Sequence, residues 1–137
     1  MTTAVAIWLV TLVFFLTHQM EEVVYSVGAW RESHPRPEWR RWTGWLSRSP
    51  LASPDLRIRA ATVGGQAAGV ILLAAATSGS LIATQLAATV ITTVLMLAFL
   101  MHITASVLTR SAMPGLATSI LPGLPGAVML LTYIWTR

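Results

Sequence analysis

The chain has no cysteine, no lysine and little charge of either sign. The missing cysteine excludes disulfides, thiolate metal sites and cysteine nucleophiles. Only 10% of the 137 residues are charged, about half the share in an ordinary soluble domain, and 55% are hydrophobic. A soluble chain of that composition would lack the polar surface to cover itself. The class that fits is an integral membrane protein built as a single domain over residues 1–137. No Lys or Arg lies between Met1 and Trp8, so the positive region of a secretion signal is missing. The apolar run continues to about Met20, and the first segment is expected to be a retained transmembrane helix.

Four apolar spans stand out, at about 3–27, 60–77, 81–109 and 116–136. Each has roughly the 17–25 residues needed to cross a hydrocarbon core. Helices satisfy their own backbone groups in lipid, so the expected fold is all-α, a polytopic four-transmembrane-helix bundle. The nine basic residues are all arginine, and seven fall in the connector at about 31–59. Arg110 lies in the third loop, whereas "TSGS" (Thr77 to Ser80) and the N-terminus hold none. The positive-inside rule then predicts both termini outside and both arginine loops in the cytoplasm. The setting this implies is a cell membrane with the arginine loops on its cytoplasmic side. The basic bias is what that rule expects, and gives no support to nucleic-acid binding.

Within the connector, Trp39, Trp42, Trp45 and Leu46 recur at helical spacing, with Arg40, Arg41 and Arg48 beside them. This predicts a short interfacial helix on anionic lipid, acting as an anchor or as a substrate gate. Gly65 and Gly69 form a small-xxx-small pair, read as a close helix-packing face. "PGLPG" (Pro122 to Gly126) should kink or open the fourth helix.

The polar residues of the spans are few. "FFLTHQMEEVV" (Phe14 to Val24) places His18, Glu21 and Glu22 at i, i+3 and i+4, on one helix face. Glu22 precedes Arg31 by nine residues, His102 precedes Arg110 by eight, and Gln66 follows Arg59 by seven. At 1.5 Å per residue, all three come out roughly 10–14 Å in from the inner arginines. Ionisable groups at that depth are costly and usually face an interior or a cavity. The alternative is that Glu21 and Glu22 end the first helix at the headgroups, with His18 as a packing residue. Carboxylates at a helix C-terminus would then oppose the macrodipole.

"HQMEE" fits the pattern His-x-x-Glu-Glu. "MHITASVLTRSAMPGLATSILPGLP" supplies a histidine, a Pro-Gly-x-x-Thr segment and a Leu-Pro. In both features, and in their order, the chain resembles the HXXEE-domain family of small bacterial membrane proteins, whose activity is unassigned. The resemblance implies that His18, Glu21, Glu22 and His102 act together, and implies no reaction.

Three function classes fit these residues. The first is an enzyme acting on a lipid-like or hydrophobic small molecule: a hydrolase, an isomerase or a metal-dependent oxidoreductase. His18, Glu21, Glu22 and His102 are its candidate catalytic and metal-binding residues, with Gln66 as an outer partner. Two histidines with one or two carboxylates suit Zn²⁺ or non-haem iron. Without a metal, adjacent carboxylates in low dielectric share a proton and could serve acid–base chemistry. The second class is a small proton-coupled transporter or exporter using Glu21 and Glu22. The third is a structural or partner-binding membrane subunit, for which the polar layer would tolerate substitution. Membrane lipid is an expected partner in each class, and a homo-oligomer is open in all three.

Overall fold

The computed structural model describes residues 2–34, 44 and 48–136. It is all-helical, with no strand among the described residues. Four helices are long and apolar enough to cross a membrane: α1 (Thr3–Val24), α3 (Leu56–Thr77), α4 (Leu81–Thr109) and α5 (Leu116–Thr136). A short α2 (Val27–Glu32) and a single 3₁₀ turn (Pro50–Ala52) lie in the first connector. The expected interfacial helix at Trp39, Trp42 and Trp45 lies outside the described residues.

Side-chain caps set the boundaries. Thr2, Ser26, Asp55 and Ser80 each accept a backbone N–H in the first turn of α1, α2, α3 and α4 respectively. The Ser26 cap corrects one expectation, that the first span is one continuous helix to about residue 27. The chain turns extended at Tyr25, and the Ser26 hydroxyl accepts from Ala29 N at 3.2 Å to start a new helix. The buried Arg59 side chain secures the break. Its Nε donates to the Val23 carbonyl at 2.9 Å, and its Nη1 to the Ser53 and Pro54 carbonyls at 2.6 and 2.9 Å. A cation is thereby held on the Val23 carbonyl at the end of α1 and tied to the connector before α3.

α4 ends at Arg110 in the left-handed conformation, and α5 begins after a tight turn. In that turn Leu116 N bonds Met113 O at 3.0 Å, and Gly115 has φ 90° and ψ −7°. Pro then Gly at the two central positions is the sequence of a type II turn, which requires positive φ at the second. α5 opens into a wider π-type turn at Ser119–Gly123, with Leu121 out of helical geometry. Pro122 has no N–H to continue the ladder, which is the physical reason for the opening.

α1 packs against α3, α4 and α5, while α3 leans mainly on α1. Three apolar clusters follow one another along the bundle. Ile7, Ala88, Leu130 and Ile134 form one end. Phe15, Leu95, Phe99 and Ala127 form the middle, and Val27, Trp30, Ala105 and Met113 the connector end. Large apolar side chains also point outwards, including Leu72, Ile82 and Met129 at 70%, 69% and 72% exposure. Among the described residues no heavy atom lies within 4 Å of a Cβ built on Gly64, Gly65 or Gly69. Among the described residues the small-residue face of α3 therefore makes no close-packed contact, unlike the expectation from spacing. The glycines that do make close approaches are Gly28, Gly115, Gly123 and Gly126.

Candidate metal centre

Between the middle and connector-end clusters, α1 and α4 bring three polar side chains together. His18 and Glu22 are one helical turn apart on α1, and His102 comes from α4. They are 2%, 7% and 0% exposed. Glu22 Oε1 lies 2.9 Å from His102 Nε2 and 3.8 Å from His18 Nε2. The two imidazoles meet edge to face at 4.9 Å, and the other side of the His18 ring is closed by Phe99 at 4.8 Å. One donor atom from each of the three residues falls within 4.8 Å of the others, so the group could hold a metal ion.

The fit to a cation goes beyond proximity. The 2.9 Å approach of His102 to Glu22 has the length of a hydrogen bond without its alignment, and among the described residues neither ring nitrogen of His102 has a hydrogen-bond partner. Buried polar atoms left in that condition cost about 1–3 kcal/mol each. Tetrahedral zinc, with bonds of about 2.0–2.2 Å, separates its ligand atoms by roughly 3.4 Å. The two separations from Glu22 lie on either side of that value, and all three donors lie within 4.8 Å of one another, so binding requires side-chain rotations that draw the imidazoles together.

Glu21 points elsewhere. Its Oε2 accepts from Thr118 N at 2.9 Å and from Thr118 Oγ1 at 2.7 Å, and its Oε1 from Ala117 N at 3.4 Å. No side chain of α5 itself caps that helix. A carboxylate from α1 does so instead, against the free N–H groups and positive dipole end. Thr118 then links the two motif regions. Its hydroxyl has one proton, and the nearest acceptor is the Glu21 carboxylate. Towards His18 Nδ1, at 3.1 Å, the hydroxyl oxygen is therefore the acceptor. This assigns the His18 proton to Nδ1 and leaves Nε2 with a bare lone pair on the side of Glu22 and His102.

Gly115 sets the wall behind His102. A Cβ there would lie 2.7 Å from His102 Cε1 and 2.8 Å from its Nδ1. On the other side, His18, Glu22 and His102 line a cavity of about 550 Å³ between α1, α3, α4 and the 3₁₀ turn. Gln66 lines this cavity from α3, apart from the three converging donors. His34 lies outside the centre, stacked on Trp30 at 4.8 Å.

Residues not singled out by sequence reasoning also belong here: Thr118, Gly115 and Gln19. The first two sit in the Pro-Gly-x-x-Thr stretch, so the signal was present in that pattern. Gln19 lies inside "HQMEE" itself. It is 8% exposed, lines the cavity, and its Oε1 has no hydrogen-bond partner among the described residues.

No curated protein and no solved structure matches the chain. One family model does, described as a protein of unknown function with HXXEE motif, and it covers residues 8–130. That span contains the His18–Glu22 motif, His102, Gly115 and Thr118, which meet in space as described above. The chain belongs to this HXXEE family.

Proposed function

We propose that this protein is a membrane-embedded, metal-dependent enzyme acting on a lipid-soluble substrate, resident in a bacterial cytoplasmic membrane with both termini outside. The observation that carries the reading is the convergence of His18, Glu22 and His102, all buried, on the wall of a mainly apolar cavity. Two imidazoles and one carboxylate are the donor set of catalytic zinc sites and of non-haem iron(II) sites, both of which keep coordination positions open. In this reading His18 Nε2, His102 Nε2 and the Glu22 carboxylate hold the ion. Once bound, the metal supplies a Lewis acid and an acidified water.

The remaining residues act on the ligands. Glu21, through Thr118, holds His18 in the tautomer whose Nε2 can bind a cation. Gly115 allows the backbone to lie against the His102 ring and fixes its place. Phe99 closes the inner side against water. Glu21 is already engaged by backbone and hydroxyl donors. That favours a positioning role over the proton-carrying role an exporter would require.

The test is elemental analysis of protein purified in detergent. About one zinc or iron per chain is expected, lost in His18→Ala, His102→Ala and Glu22→Ala. Protein that carries no metal after growth in zinc- and iron-supplemented medium, and binds none on addition, would sink the proposal.

A further inference from the structure

The cavity beside the candidate metal centre is a cleft with an open side. Its back is buried, formed by Phe15, Leu95, His18 and His102. Its rim is not. Val90 and Val94 on α4 line the cavity and are 63% and 60% exposed. On α3, Gln66 and Gly69 line it and are exposed as well. The gap follows from how α3 packs. That helix leans mainly on α1, and its buried residues, Arg59 and Val63, both lie near its start. The connector end of the cleft is floored by Val27, Leu51 and Ala52. There Gly28 lies so close to the Ala52 carbonyl that a Cβ on it would collide with that oxygen. Among the described residues the cleft therefore opens sideways, between two helices long and apolar enough to cross a membrane.

Gln66 is the polar residue on that open rim. Its amide makes no hydrogen bond among the described residues. Facing water, it would need none. In a membrane-crossing helix no water replaces the missing partner, and the amide is a cost that a ligand can remove. Gln66 lies seven residues past Arg59, roughly 10 Å along the helix. At that depth the available partners are the polar groups that lipids carry among their chains. An ester carbonyl suits the position. It accepts from the Gln66 N–H₂ and brings no donor of its own that needs a partner. A carbonyl is also a group that a Lewis-acidic metal polarises.

We propose that an ester-bearing lipid reaches the metal centre sideways from the bilayer, through the cleft between α3 and α4. Its hydrocarbon chain lies in the cleft, and its carbonyl accepts a hydrogen bond from the Gln66 amide at the rim. This names the route and the substrate class of the enzyme proposed above. It rests on that reading for its chemistry, though not for its binding.

The test uses two photoactivatable, clickable sixteen-carbon probes on the full-length protein in nanodiscs. One is a methyl ester, and in the other an alkyl group replaces the ester. The ester is expected to label the α4 peptide 90–98 about fivefold more than the alkyl probe, the worth of one neutral hydrogen bond. Gln66→Leu should remove that preference. Gly69→Phe, or the smaller Gly69→Leu, should remove it by filling the rim, where a Cβ meets no heavy atom within 4 Å. The mainly apolar groove between α1 and α3, lined by Val5, Leu9 and Ile71, is the internal control. Labelling of peptide 5–12 there should show no ester preference and should not change in the variants, which also checks their folding. Equal labelling of 90–98 by the two probes, or a preference that survives Gln66→Leu or both Gly69 variants, would overturn the proposal. So would efficient disulfide formation between two copies of Gln66→Cys, which would give the position a protein partner instead. Ester preference in a protein without metal would remove the metal reading and leave this one standing. A metal-loaded protein without the preference would remove this one alone.

Discussion

Replacing Gly115 with alanine puts a methyl group where the His102 ring already sits. The new Cβ would lie 2.7 Å from Cε1 and 2.8 Å from Nδ1, both closer than real side-chain contacts allow, and 3.0 Å from Nε2, which is tight. His102 is fully buried, so its ring has little room to withdraw. Overpacking of this kind costs about 1–3 kcal/mol. The backbone adds a second penalty, because φ of 90° is unfavourable for any residue with a Cβ. A left-handed conformation costs an L-residue roughly 1–2 kcal/mol. Together the two give about 2–5 kcal/mol of destabilisation. The assay is reversible unfolding in detergent, followed by circular dichroism. Gly64→Ala is the control, since a Cβ there meets nothing within 4 Å and the site is inside a helix. That change should be neutral or stabilising by up to about 1 kcal/mol. The double variant Gly115→Ala/His102→Ala separates the two penalties. The overpacking part should vanish as a coupling energy of about 1–3 kcal/mol, leaving the backbone part. Gly115→Ala within about 0.5 kcal/mol of the parent, or no coupling to His102, would refute the reasoning.

Three further outcomes are expected. Thr118→Val removes the hydroxyl between Glu21 and His18, and should weaken metal binding by about 10–100-fold in chelator competition. Thr118→Ser should restore most of that affinity, and nitrogen NMR of the histidines should show His18 losing its Nδ1–H tautomer only in the valine variant. Glu21→Gln should retain more metal than Glu22→Gln in elemental analysis, because Glu21 binds α5 and Glu22 faces both imidazoles. Arg59→Leu strips the donors from three carbonyls, and a loss of about 2–4 kcal/mol is expected in the same unfolding assay. Arg59→Lys should recover part of it, since one ammonium cannot reproduce the spread of a guanidinium.

The helices themselves were legible in the sequence because they are set by local quantities. Apolar runs of sufficient length, with prolines and glycines at the breaks, need no knowledge of neighbours. The matching level of Glu22 and His102, which stand 2.9 Å apart, was legible for the same reason, since rise per residue is fixed along a helix. What counting cannot supply is the rotation of each helix about its axis and the choice of neighbour. Those are decided by packing, and they separate two adjacent carboxylates into different tasks. Glu22 turns to the histidines, and Glu21 turns to the start of α5. Packing also leaves the glycines of α3 without a close partner among the described residues, while giving Gly115 one in His102. The break at Tyr25 likewise depends on Arg59, thirty-six residues from the carbonyl it holds. By itself the sequence determined which residues would share a layer of the bundle. Only the tertiary structure decided which of them touch, because a contact depends on two helices and their relative rotation.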